Sequence, residues 1–134
     1  MRYWVYRPDT GGKKIPPGVQ ERTRARILRY AGKHYQGKFI RIEVRFRGAL
    51  CYIDAYTDPG DSPGMRGETR AQRRQRLLNT PTHMCRIRFH GDEDRWSFAF
   101  YTYSHERYEL AVLDTGEFQG TPEEAFRTAS VYLM

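Results

Sequence analysis

The sequence lacks the features that mark membrane, secreted and metal-binding proteins. No apolar run approaches the roughly 20 residues that a membrane-spanning helix needs, and no signal-peptide core follows Met1. Two cysteines, Cys51 and Cys85, are too few for a disulfide scaffold. They and the four histidines have no zinc-ligand spacing, so we predict no metal and no other cofactor. We therefore expect a cytoplasmic protein without membrane contact.

Lysine is also scarce: only 4 of the 23 basic residues are lysine, and the others are arginine.

The chain of 134 residues fits one domain, and a chain of this size buries roughly two thirds of its unfolded surface. Hydrophobic residues make up 39% of it and aromatic residues 14%. This composition predicts a folded core and excludes a disordered chain.

The charge is uneven along the chain. The net charge is +7, but residues 1–90 carry +13 and residues 91–134 carry −6. One interpretation is a polyanion partner, either nucleic acid or an acidic protein, because arginine binds phosphate and carboxylate with two donors. The alternative is a composition bias, or neutralisation by the acidic third within the fold or across a dimer. The candidate polyanion-binding residues are Arg66, Arg70, Arg73, Arg74 and Arg76.

Helical periodicity predicts two helices that pack on a core. Residues 17–35 carry an apolar stripe at every fourth position, from Val19 to Tyr35. Residues 121–133 begin with Thr121 as N-cap and Glu124 three residues later, which is a capping box. A mobile Pro/Gly/Arg-rich loop with a short helix is predicted at 58–81, and residues 2–7 read as a short strand.

Alternating apolar and polar residues predict a hairpin at 38–57 and a three-stranded meander at 83–113. If Arg47-Gly48 forms the hairpin turn, Arg41 lies opposite Asp54. In the meander, the turns predict that Phe89 faces Trp96 and that Phe98 faces both Ile87 and Leu113. The fold class is then α+β: a single antiparallel sheet of five to six strands, packed by the N-terminal and C-terminal helices.

One layer of helices covers one face of such a sheet and leaves the other face rich in aromatic residues. A soluble monomer rarely exposes a large apolar patch. We expect a homodimer through this face, and the alternatives are an aromatic ligand cleft or cover by the chain's own segments. The residues of the predicted dimer contact are Tyr101, Tyr103, Tyr108 and Leu110.

The best candidate for a ligand site lies on the hairpin residues of this same uncovered face of the sheet. Two carboxylates, two phenols and a guanidinium could bind a polar ligand or transfer protons; a cross-strand ion pair is the alternative. The members are Arg41, Glu43, Tyr52, Asp54 and Tyr56.

The sequence alone does not determine the function. It contains no known nucleic-acid-binding motif, so aromatic and basic residues on a sheet remain a general indication of such binding. Our leading hypothesis is a small, basic, non-enzymatic binding or assembly module that contacts nucleic acid or an acidic partner. The alternative is a ligand binder or enzyme that uses the face around Asp54.

Overall fold

A computed structural model of the chain describes residues 10–60 and 66–134. The predicted strand at 2–7 and residues 61–65 of the loop predicted within 58–81 lie outside these residues. The α+β class is confirmed: the described residues form one antiparallel sheet, with a helix before its first strand and another after its last strand. The described elements are α1 (Pro17–His34), β1 (Arg41–Arg47), β2 (Leu50–Tyr56), α2 (Arg70–Leu78), β3 (Thr82–Phe89), β4 (Trp96–Thr102), β5 (Arg107–Leu110), β6 (Gln119–Gly120), α3 (Pro122–Ala129) and a 3-10 helix (Ser130–Leu133).

Helices α1 and α3 begin and pack as their sequences predict. The first turn of a helix leaves its backbone amides unpaired, so proline at the start of α1 sacrifices no hydrogen bond. The apolar stripe from Val19 to Ala31 is buried. In α3 the hydroxyl of Thr121 accepts from the Glu124 amide, and the Glu124 carboxylate accepts from the Thr121 amide. The last predicted turn of this helix is a 3-10 helix instead of an α-helix.

The sheet has the strand order β1-β2-β3-β4-β5, and every pairing is antiparallel. Strand β6 pairs with the first residues of β4, and β5 pairs with its last residues. In the part of the chain that the structure describes, one edge of the sheet is therefore the seven-residue β1. The other edge is divided between β5 and β6, which have four and two residues.

The predicted partners within the first hairpin are wrong by two residues. Arg41 pairs with Tyr56, and Glu43 pairs with Asp54, because the turn is Gly48-Ala49 and not Arg47-Gly48. Gly48 has φ +60°, the conformation that a type II′ turn requires of its first central residue. A shift of two residues leaves each side chain on its predicted face, so the predicted faces are correct.

The meander follows the prediction in its first turn and departs from it in the second. Phe89 faces Trp96 and Ile87 faces Phe98, as expected. The next loop is longer than predicted, so Ala99 pairs with Leu110, and Phe98 does not pair with Leu113. Strand β5 ends at Leu110, three residues earlier than predicted, and Leu113 packs into the core from the following loop.

The core lies between the sheet and the layer of α1 and α3. The buried strand side chains facing the helices are aliphatic, aromatic or thiol, and the most deeply buried include Ile53, Ile87 and Phe98. They pack with Ile27 of α1 and Phe126 of α3. No α2 residue is buried. Among the described elements, the helices that build the core thus leave the opposite side of the sheet open.

Candidate functional site

The side of the sheet turned away from α1 and α3, here called the open face, gathers every ligand-site residue predicted from the sequence. Because strand side chains alternate, residues two apart share a face. The strand residues of the open face include Arg41, Glu43, Arg45, Arg47, Tyr52, Asp54, Tyr56, Arg86, Arg88, Ala99, Tyr101, Tyr108 and Leu110.

Asp54 lies at the centre of this face and is only 2% exposed. Its Oδ2 accepts a hydrogen bond of 2.9 Å from Nη2 of Arg45, and its Oδ1 lies 2.9 Å from Nδ1 of His83. The predicted ion pair with Arg41 is therefore wrong, since the two-residue register shift moves Arg41 opposite Tyr56. Burying a carboxylate is costly unless it is paired, and here each oxygen has its own partner.

A β-bulge brings His83 to Asp54. From Leu50 to Ile53, strand β2 pairs regularly with β3, but Asp54 then pairs with His83 and skips Met84. Without this extra residue, His83 would share the core face with Cys85, two positions along the strand. The bulge turns the imidazole to the open face, and no local pattern in the sequence indicates it.

The His83 imidazole is held on one side and accessible on the other. A carboxylate can only accept, so Nδ1 carries the hydrogen of the bond to Asp54. The ring centroid lies 4.8 Å from that of Tyr101, and the backbone amide of His83 donates to the Tyr103 hydroxyl. Its side chain is 33% exposed, and Nε2 has no hydrogen-bond partner among the described residues. This nitrogen is available to a bound molecule.

Four tyrosines form a continuous aromatic cluster beside the imidazole. The ring of Tyr108 lies 5.4 Å from Tyr52 and 5.0 Å from Tyr101, and Tyr101 lies 4.7 Å from Tyr103. Burial, with a further contribution from the Asp54 carboxylate, raises the pKa of Tyr108 well above its ordinary value. The phenol therefore stays protonated to higher pH than an ordinary tyrosine and keeps a hydrogen to donate.

Three arginines of the open face lie over tyrosine rings. The guanidinium carbon of Arg41 is 3.8 Å from the centroid of Tyr56, and that of Arg86 is 5.2 Å from Tyr108. Neither has a carboxylate partner among the described residues. Arg45 differs, because it lies 5.2 Å from Tyr52 but is bound to Asp54. Two guanidinium groups are thus oriented by aromatic rings without being neutralised.

The five predicted site residues form two groups, which Arg45 connects by contacting both Asp54 and Glu43. Asp54 belongs to the central cluster, and Tyr52 reaches it through Arg45 and Tyr108. Arg41, Tyr56 and Glu43 form a second group, in which the Tyr56 hydroxyl donates to Glu43 at 3.3 Å. Sequence reasoning missed the contacts of Arg45 and His83 with Asp54, and it placed Tyr101 and Tyr108 in a dimer contact, with an aromatic ligand cleft or cover by the chain's own segments as the alternatives.

The predicted polyanion-binding arginines lie on or next to α2, where neighbouring acids engage two of them. Arg74 binds Asp58 at 2.7 Å and Arg76 binds Glu68 at 2.8 Å. Arg70 and Arg73 also make polar or charged contacts, and Arg66 is exposed. Whether these residues bind a polyanion stays a prediction.

Acidic residues of the C-terminal third neutralise part of α1, as one alternative from the sequence expected. Arg22 binds Glu93 at 2.9 Å, and Arg26 binds both Asp94 at 2.9 Å and Glu123 at 2.8 Å. The net positive charge of the chain is therefore not spread evenly over the folded surface.

The described residues contain no group of three or more His, Cys, Asp or Glu side chains that could hold a metal ion. Cys51 and Cys85 are buried, and burial raises the pKa of both thiols, so they have little thiolate character. Within 10–60 and 66–134, no helix combines the length and apolarity needed to cross a bilayer.

Comparison of the chain with protein-family models, curated proteins and solved structures found no match. The fold and the site geometry are therefore the only basis for a functional proposal.

Proposed function

We propose that the open face binds single-stranded nucleic acid. The observation that carries this proposal is the placement of Arg41 and Arg86 on tyrosine rings without carboxylate partners. Exposed aromatic rings on a sheet stack with bases, and guanidinium groups beside them bind the phosphates. Tyr103, with 49% exposure, offers an accessible ring next to the cluster of Tyr101 and Tyr108.

The charge of the open face favours a polyanion over a second copy of the chain. Among the described residues of β1, β2 and β3, this face has five arginines and two acids, a formal charge of +3. A two-fold dimer brings the same patch of both subunits together, so it would place like charges close to one another. A phosphate backbone instead gains affinity from each arginine through counterion release.

Fluorescence anisotropy with a labelled dT12 oligonucleotide tests the proposal. We expect the logarithm of the binding constant to fall linearly with the logarithm of the salt concentration. Each lost phosphate contact should make this slope shallower by about 0.7. Arg86→Ala should weaken binding by about tenfold, which is in the range expected for one charge-assisted contact. Arg29→Ala is the matched control, because Arg29 is an exposed arginine of α1 away from the open face.

Three results would overturn the proposal. One is the absence of binding at low salt, and another is an equal loss of affinity in Arg86→Ala and Arg29→Ala. The third is competition by poly-glutamate as strong as by unlabelled dT12, which would favour an acidic protein as the partner. Circular dichroism of each variant establishes that the fold is retained.

The predicted homodimer through Tyr101, Tyr103, Tyr108 and Leu110 would occupy the same face and stays a prediction. Light scattering distinguishes the two occupants. A mass of one chain that persists at high concentration excludes the dimer, whereas a dimer that dissociates when dT12 is added shows that both use this face. The cytoplasmic location likewise stays a prediction.

A further inference from the structure

We propose that His83, oriented by Asp54, is a general base that cleaves RNA by activating the 2′-hydroxyl of a strand bound on the open face. This inference rests on the proposed nucleic-acid binding and names the substrate as RNA. It is carried by the geometry around one carboxylate, whose two oxygens hold Arg45 and His83.

The three residues have the arrangement of a positioned base. A general base needs an accessible lone pair and a second group that fixes its orientation. Asp54 accepts a hydrogen bond from Nδ1–H, which leaves the lone pair on Nε2, and Arg45 in turn fixes the carboxylate by donating to its other oxygen. The side chain of His83 remains one-third exposed at 33%, so a substrate can reach it.

The surroundings of His83 indicate that the nucleophile comes from the substrate. Among residues 10–60 and 66–134, His83 makes polar or ring contacts with Asp54, Tyr101 and Tyr103, and none of these is a serine, threonine or cysteine. Both thiols of the chain are buried with the core. A hydroxyl supplied by the bound molecule is therefore the group whose proton Nε2 can take.

RNA supplies such a hydroxyl next to a phosphate. In the proposed step, Nε2 of His83 takes the 2′-hydroxyl proton, the 2′-oxygen forms a bond to phosphorus, and the bond from phosphorus to the 5′-oxygen breaks. The 5′-oxygen leaves with the bonding electron pair and takes a proton from solvent, and His83 later returns its proton to solvent. The products are a 2′,3′-cyclic phosphate and a 5′-hydroxyl, and no oxidant or co-reactant is needed.

Cationic groups for the developing negative charge lie on the same face of the sheet as the base. Arg45 shares the carboxylate of Asp54 with His83, and its side chain is 47% exposed. Arg86 lies over Tyr108, whose ring contacts the same Tyr101 that packs on the imidazole. Guanidinium groups in such positions stabilise the charge that appears on a phosphate oxygen during displacement.

The test uses the full chain, a labelled dT12 oligonucleotide with one internal ribouridine, and EDTA to suppress metal-dependent contaminants. We expect cleavage only after the ribonucleotide, with a 2′,3′-cyclic phosphate end. His83→Asn keeps an N–H donor for Asp54 but lacks Nε2, and it should lower the rate by at least 100-fold, the lower end of general-base effects. Its affinity for dT12 should change by less than about threefold, because the lost group acts on the hydroxyl.

The matched control is His105→Ala, which removes an exposed histidine of the loop before β5 and passes through the same purification. It should cleave like the unmodified chain. Should His83→Asn not fold, His83→Gln serves as the second variant. A cleavage rate that falls at acid pH, measured on the unmodified chain and lost in His83→Asn, is the readout that a purely structural histidine would not give.

The outcomes separate this inference from the proposal on which it rests. Binding of dT12 without cleavage of the ribouridine substrate overturns the inference and leaves nucleic-acid binding in place. Equal cleavage by the unmodified chain and His83→Asn also overturns it, because the activity then belongs to a contaminant or another site. Absence of binding to either oligonucleotide overturns both.

Discussion

Replacing Asp54 by asparagine should destabilise the fold strongly for a single conservative change. The carboxylate is 2% exposed and accepts from both Arg45 and His83. Asparagine retains one acceptor oxygen, so one of these bonds survives, while its amide group faces a donor on the other side. A hydrogen bond to a charged group contributes about 1.5–3 kcal/mol, and the partners regain some water because they are partly exposed. We expect a loss of about 2.5 kcal/mol in the free energy of unfolding.

Thermal unfolding followed by circular dichroism measures this loss. The entropy of unfolding near 60 °C is about 2.1 cal/mol/K per residue, which is about 0.28 kcal/mol/K for 134 residues. A loss of about 2.5 kcal/mol then lowers Tm by about 9 °C. Urea unfolding at constant temperature gives the free energy without this conversion.

Glu43→Gln is the matched control for Asp54→Asn. Glu43 also contacts Arg45, at 3.4 Å, but its side chain is 38% exposed, and exposed ion pairs contribute about 0.2–1 kcal/mol. Its Tm should therefore fall by about 3 °C or less. A Tm for Asp54→Asn within about 3 °C of the unmodified chain would refute the reasoning, since the buried carboxylate would then stabilise no more than a surface ion pair.

Three further predictions follow from burial and capping. Burial raises the pKa of Tyr108 from its usual 10.0 and that of the Cys51 thiol from 9.0, so the unfolded chain loses these protons first as pH rises; urea titrations should show stability falling above about pH 9 and not changing from this cause below it. Thr23→Val should raise the free energy of unfolding by about 1 kcal/mol, because the buried Thr23 hydroxyl has no hydrogen-bond partner among the described residues; a decrease in the urea midpoint would contradict this. Thr121→Ala removes the cap of α3 and should lower the free energy of unfolding by about 1 kcal/mol. Thr69 caps α2, which has no buried residue, so Thr69→Ala should leave the global urea transition nearly unchanged; equal losses in the two variants would show that α2 unfolds with the core.

Elements whose signals are local could be predicted from the sequence. The stripe from Val19 to Ala31 determines the buried side of α1, and the capping box at Thr121 fixes the start of α3. The alternation in 38–57 assigns each side chain to the correct face, because faces depend only on strand period. The capping box at Thr69 and Gln72, which starts α2, was also visible in the sequence and was missed.

The pairing of strands depends on turn geometry, and a shift of two residues changes partners without disturbing the pattern of faces. For this reason the sequence placed Asp54 on the right face but gave it Arg41 as a partner in place of Arg45. His83 could not be predicted, since a bulge at Met84 depends on the meeting of two distant strands and not on either sequence alone. The candidate site was thus half predictable: its side of the sheet was predictable, its central pair was not.

The arginines spaced along β1 have a consequence for solubility as well as for ligands. An unpaired strand edge invites the strands of other molecules to join it, and closely spaced charges prevent this. Among the described strands, one edge is divided between the short β5 and β6, but the other is the seven-residue β1, which carries Arg41, Arg45 and Arg47 on one face. Variants that remove all three arginines together would therefore expose a template for intermolecular sheet growth, and turbid or fibrillar samples would be the sign of it.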